Sequence, residues 1–172
     1  MPKLNNIEME KVSETLESIS RDSSMAKRVT KIEGAWVFEG DVQFIGELRF
    51  EAGSVRLEMS LPTFLGGSGR RPGPIHYCLY GLASCFASTI ASIAAEKNVT
   101  LRSLKLEAEC HLDFSKPLGV ADKPILDAVK FLVKIDAEAD DERVKQILVE
   151  AEKRCPAVYA LTNSVPVQVL LK

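Results

Sequence analysis

What the chain has little of narrows it first. It has two histidines and four cysteines, and no two cysteines form a CxxC pair. Structural zinc sites draw their ligands from pairs at short spacing, so neither a metal nor another cofactor is expected. The net charge is only −2 and no polybasic cluster occurs. That excludes the basic face that nucleic acid requires and the cationic patch that an anionic membrane surface attracts. The start, Met1 to Ser20, is charged throughout and lacks an apolar stretch with a small-residue cleavage site. A secretory signal is therefore not expected. A cytoplasmic chain of this size has no need of disulfide staples.

What is present is ordinary in bulk. The 172 residues are 46% hydrophobic and 27% charged, enough for one domain with one well-buried core. A single stretch, Ile75 to Ala95, carries no Lys, Arg, Asp or Glu and has about the length that spans a bilayer. It also contains His76, Ser84, Ser88, Thr89 and Ser92, and its flanking basic asymmetry is weak. It reads as the buried central helix of a soluble protein.

Around it the periodicities predict a helix over residues 4–20, with Leu4, Ile7, Val12, Leu16 and Ile19 on one face. Three short strands follow, near Val29–Val37, Val42–Phe50 and Val55–Met59, joined by glycine-containing turns. Leu61 to Pro74 is too rich in glycine and proline for regular structure, and Pro74 suits the first turn of the central helix. From Leu104 to Phe114 apolar and polar residues alternate, which makes Cys110 an inward residue and His111 a solvent-side one. A second alternating strand carries Val129, Phe131, Val133 and Ile135 inward. A helix capped by Asp140 or Asp141 buries Val144, Ile147, Leu148 and Ala151, with Cys155 continuing that stripe. Pro156 is expected to end it, and Val165–Leu171 to close the chain as a strand. Strands and helices do not alternate regularly, so the fold class is α+β. The expected organisation is an amphipathic extension over 1–24 and one domain over 25–172.

Free cysteines are commonly core residues, and Cys78 reads so. Seven residues before Cys85, it lies about 10 Å away along the helix, too far for a direct disulfide.

Gly66-Gly67, Pro72-Gly73-Pro74, the small-residue helix with Gly81-Leu82-Ala83-Ser84-Cys85-Phe86, and Ala151-Glu152-Lys153-Arg154-Cys155-Pro156 together resemble the OsmC/Ohr family of organic hydroperoxide resistance and osmotically induced proteins. The likeness runs over roughly residues 30–172. It implies an intertwined homodimer in which strongly curved antiparallel sheets wrap long central helices. It also implies thiol-dependent reduction of organic hydroperoxides, with Cys85 in the peroxidatic position and Cys155 in the resolving one. The partners so implied are a second subunit, a hydroperoxide and a dithiol reductant, with neither nucleic acid nor membrane. Cys78, Gly81, Ser84 and Phe86 would line the pocket.

One feature departs from that pattern. In the peroxidase branch a glutamate follows the proline that opens the central helix and pairs with an arginine that activates the thiol; here Ile75 follows Pro74. Arg70 and Arg71 on the glycine-rich loop, and His76, are the activating candidates. His76 is nine residues, about 900° of helix, from Cys85, so it would have to act from the other subunit. The alternative is a redox-sensing or small-ligand-binding dimer with little peroxidase activity.

Overall fold

The computed structural model describes residues 3–171. They form two compact units, Glu14–Cys78 and the remainder, Met1–Ser13 with Leu79–Lys172. The helix α1, Met9–Arg21, begins in one and ends in the other, as does α2, Pro74–Glu96.

The α1 helix starts five residues later than the periodicity predicts. Asn5 and Asn6 both take left-handed backbone angles, φ 53° and 63°, and close a two-residue turn in which Leu4 and Ile7 exchange backbone hydrogen bonds of 3.0 and 2.9 Å. Asparagine tolerates that region better than most residues, so the chain turns before it coils. None of the side chains of α1 is buried.

Within residues 14–78 the strands β1 (Glu33–Trp36), β2 (Phe44–Phe50) and β3 (Gly53–Met59) form an antiparallel sheet in chain order. The register sets Trp36 opposite Phe44 and Phe44 opposite Met59. The glycine-rich loop then folds against its own start. A Cβ on Gly67 would lie 2.0 Å from the carbonyl oxygen of Leu61, so only glycine fits there. The buried Ser60 hydroxyl accepts from the amide of Arg71 at 3.0 Å and donates to its carbonyl at 3.4 Å, tying the two ends of the loop.

The other unit holds the core. Phe86, Ile90, Ile93, Ala94 and Ala95 of α2 are its buried face, while Ile75, His76, Cys78, Tyr80, Gly81 and Ser84 in the helix's first half are exposed. Among the described residues this is the one helix long and apolar enough to cross a membrane. It ends in a Schellman turn: Asn98, at φ 52°, donates to Ala95, and Val99 donates to Ala94 at 2.8 Å. Strands β4 (Leu101–Leu112) and β5 (Leu126–Ala137) pair antiparallel, and Leu104, Leu106, Phe131, Val133 and Ile135 pack on the core. As expected, Asp140 caps α3 (Asp141–Arg154), accepting from the amide of Arg143 at 2.8 Å.

The chain's end differs from expectation. Pro156 terminates α3 but also opens a further helix, α4 (Pro156–Thr162), since proline is well placed at a first helical position. Residues 164–171 lie outside any helix or strand, with Val167 and Val169 almost fully exposed. Alternation marks an apolar face, but a strand also needs a hydrogen-bonding neighbour, and a described one is lacking here.

Candidate functional site

Two of the four cysteines come together. Cys85 lies midway along α2, half-buried, and packs against the core cluster. Cys155 sits between α3 and α4 with none of its surface exposed. Its amide donates to Ala151 at 2.9 Å and its carbonyl accepts from Tyr159 at 2.9 Å, so the backbone is held from both helices. Proline disfavours helical angles in the residue before it, and Cys155 takes φ −78° and ψ 121°. That turn directs its side chain at α2. The two sulfurs are 3.8 Å apart, with the Cys155 thiol donating to Cys85. A disulfide requires about 2.05 Å between sulfurs, so closing the bond needs under 2 Å of approach and no refolding.

The electrostatics act on Cys85. Burial pushes its thiol above the ordinary value; the backbone N–H of Ala157 at the start of α4 opposes this, and the Cys155 thiol adds to it. None of these groups is a cation. The Cys85 carbonyl accepts from the hydroxyls of Ser88 at 2.8 Å and Thr89 at 2.9 Å.

A mainly apolar groove of about 620 Å³ is lined among others by Phe86, Phe131, Val133, Leu148, Val158 and Leu161, with neither cysteine in its lining. The Phe86 and Phe131 rings pack 5.1 Å apart between centroids. Of the expected pocket residues, Phe86 lines this groove. Cys78, Gly81 and Ser84 do not: all three are exposed, and Cys78 is thus no core residue. The reason lies in α2 itself, whose first half has no buried side chain. Cys110 is half-buried on β4, and His111 is exposed beside Glu109 and Lys130.

Arg70, Arg71 and His76 belong to the unit of residues 14–78 and have partners there. Arg70 pairs with Asp41 at 2.7 Å and Arg71 with Glu58 at 3.0 Å. The Arg71 bond is the largest cause holding the Glu58 carboxyl below its usual range. His76 accepts from the amide of Gly73 through Nδ1 at 3.1 Å. Sequence reasoning missed one contributor at the thiols, the Ala157 amide. The Ala157 amide depends on α4, which the periodicity did not reveal. Among the described residues no group of three or more His, Cys, Asp or Glu could hold a metal ion.

Comparison with known proteins follows the same lines. The sequence model described as OsmC-like protein matches residues 67–170, more than half of the chain. No curated protein matches in sequence. Among solved structures, an OsmC-like protein from Mycoplasma pneumoniae is similar in fold, with a TM-score of 0.61 and 18% identity over 78% of this chain and 88% of that one. An organic hydroperoxide resistance protein OsmC from Legionella pneumophila gives 0.53 and 21%, over 78% and 90%. An organic hydroperoxide resistance protein from Elizabethkingia anophelis, with thiocyanate bound, gives 0.52 and 17%, over 79% and 91%. At these identities the likeness is one of fold.

Proposed function

The chain belongs to the OsmC-like family, and from that premise we propose that it reduces organic hydroperoxides with Cys85 as the attacking thiol and Cys155 as the resolving one. The observation that carries this reading is the 3.8 Å separation of the two sulfurs.

The Cys85 thiolate attacks one oxygen of the hydroperoxide. An S–O bond forms, the O–O bond breaks, and the alkoxide leaves as an alcohol after taking a proton. The sulfur of Cys155 then attacks the resulting sulfenic acid. The S–S bond forms, hydroxide is displaced, and with the Cys155 proton it leaves as water. A dithiol reductant restores both thiols and is itself oxidised to a disulfide. The groove beside Phe86 suits an apolar peroxide substituent.

Three further parts belong to the same proposal. Arg70 or Arg71 supplies the positive charge that stabilises the Cys85 thiolate, a role supported by the chemistry such a thiol needs. The protein acts as a homodimer, a reading that the family resemblance supports. It works in the cytoplasm, where thiols stay reduced; α2, whose second half is buried in the core, is read as a core helix and not a span.

A specific observation favours a second reading, a slow redox sensor: burial raises the Cys85 thiol and Ile75 stands where the peroxidase branch has glutamate. Titrating the reduced protein with cumene hydroperoxide, with disulfides mapped by mass spectrometry, decides between them. Stoichiometric consumption within seconds and a Cys85–Cys155 disulfide are expected. Thiols left free after minutes with excess peroxide would sink the peroxidase reading.

A further inference from the structure

Arg154 immediately precedes the buried cysteine, and its guanidinium reaches across to α2. It grips Glu96 with two nitrogens, at 2.7 and 2.8 Å, and takes Glu150 of its own helix at 2.9 Å. Lys97 closes the group by pairing with Glu150 at 2.8 Å. Arg154 and Glu96 are exposed and Lys97 and Glu150 partly buried, with side chains between 27% and 46% exposed. A two-pronged arginine–carboxylate contact within a network is the kind of ion pair that does fix geometry, unlike isolated surface pairs.

Its location matters more than its strength. Glu96 and Lys97 stand at the end of α2, eleven and twelve residues beyond Cys85, so the charged group lies roughly 16 Å along the helix from the reacting sulfur. The last turn of α3 is therefore attached to α2 at two separated places, the thiol contact and the charged group. Ile147 and Ala151 share the core cluster with Ile90 and Ile93, so the charged group refines a position that packing already sets.

We propose that Arg154 is a positioning residue: its bond to Glu96 holds the end of α3 so that Cys155 stays within reach of Cys85. This rests on the reading that these two thiols form a disulfide during turnover. Arg154 touches no reacting atom; it acts on the step in which the Cys155 sulfur attacks oxidised Cys85 and hydroxide leaves as water with the Cys155 proton.

The test is a thiol–disulfide equilibrium in glutathione buffers, which reports the effective concentration of one cysteine at the other without any peroxide. Full-length wild type, Arg154→Ala, Arg154→Lys and Glu96→Gln are compared, with thermal unfolding of each recorded. Losing about 1 kcal/mol of tether lowers the effective concentration about fivefold in Arg154→Ala, with Glu96→Gln similar and Arg154→Lys intermediate. In excess cumene hydroperoxide the Ala variant also accumulates more Cys85 sulfinic acid, because resolution lags. A variant that is folded and keeps the wild-type effective concentration overturns the proposal, as does a drop in melting temperature alone. A wild type that forms the disulfide with glutathione yet consumes no hydroperoxide leaves Arg154 in its role and refutes the peroxidase function. A wild type that forms no disulfide in any buffer overturns both.

Discussion

Replacing Cys155 by serine separates the two halves of the proposed cycle. Serine is close to cysteine in volume, and at this fully buried site its hydroxyl can bond the carbonyl of Ala151, which already accepts from the residue's amide. The fold should lose about 1 kcal/mol or a little more. The first chemical step should not slow. Cys155 takes no part in the attack on the peroxide, so its replacement leaves that step near the wild-type rate. The second step should all but disappear. A thiol held 3.8 Å away acts at an effective concentration of at least the molar order, whereas added dithiol competes at ~1 mM. Resolution should therefore fall by roughly a thousandfold. Stopped-flow consumption of one equivalent of cumene hydroperoxide, with dimedone trapping and mass spectrometry, reads both steps. The expected result is a first turnover near the wild-type rate, a dimedone adduct on Cys85, and progressive oxidation to sulfinic acid with further peroxide. Steady-state turnover of Cys155→Ser equal to wild type would show that Cys155 resolves nothing, and the 3.8 Å contact would then be only packing.

Other consequences are as direct. Burial pushes Cys85 above the ordinary thiol value, so without a cation consumption should climb about tenfold per pH unit from 6.5 to 8.5; the proposed arginine activation should instead bring a plateau below pH 8, and an unbroken climb would refute it. Arg71→Ala should slow the first step at least tenfold if this arginine is the activator, and an unchanged pH–rate profile would remove it from that role. Ile93, with no exposed surface, should cost about 2–5 kcal/mol when cut to alanine, read from urea unfolding; under 1 kcal/mol would mean that the core around α2 is not packed as described.

Much of the architecture is legible because periodicity reports burial. The alternation from Leu104 onward gave β4, and the stripe ending at Ala151 gave α3 together with the placement of Cys155. Where geometry depends on a neighbour, the same signal misleads. Val165 to Leu171 alternates well and yet has no strand beside it in the described chain. The apolar stretch of α2 reads as uniformly buried, but only its second half meets the core, so Cys78 is exposed. Leu4 and Ile7 fit a helical face, yet two asparagines favour a turn there. The meeting of Cys85 and Cys155, seventy residues apart in sequence, came from family resemblance, because no local pattern encodes a contact between two helices. The Arg154 contact left no pattern at all: a basic residue in a last helical turn is ordinary.

The asparagine that turns the chain near its start also makes the protein sensitive to ageing. The Asn5 side chain donates to the carbonyls of Val99 at 3.0 Å and Ala91 at 3.4 Å and accepts from the amide of Leu101 at 2.8 Å, so it joins the end of α2 to the start of β4. Hydrolysis of that amide to a carboxylate, the common slow fate of asparagine in stored samples, would aim a negatively charged oxygen at two carbonyls that had been receiving hydrogen bonds. One atom's replacement, with a mass change of about 1 Da, would thereby loosen the turn at Asn5 from the end of α2 and the start of β4.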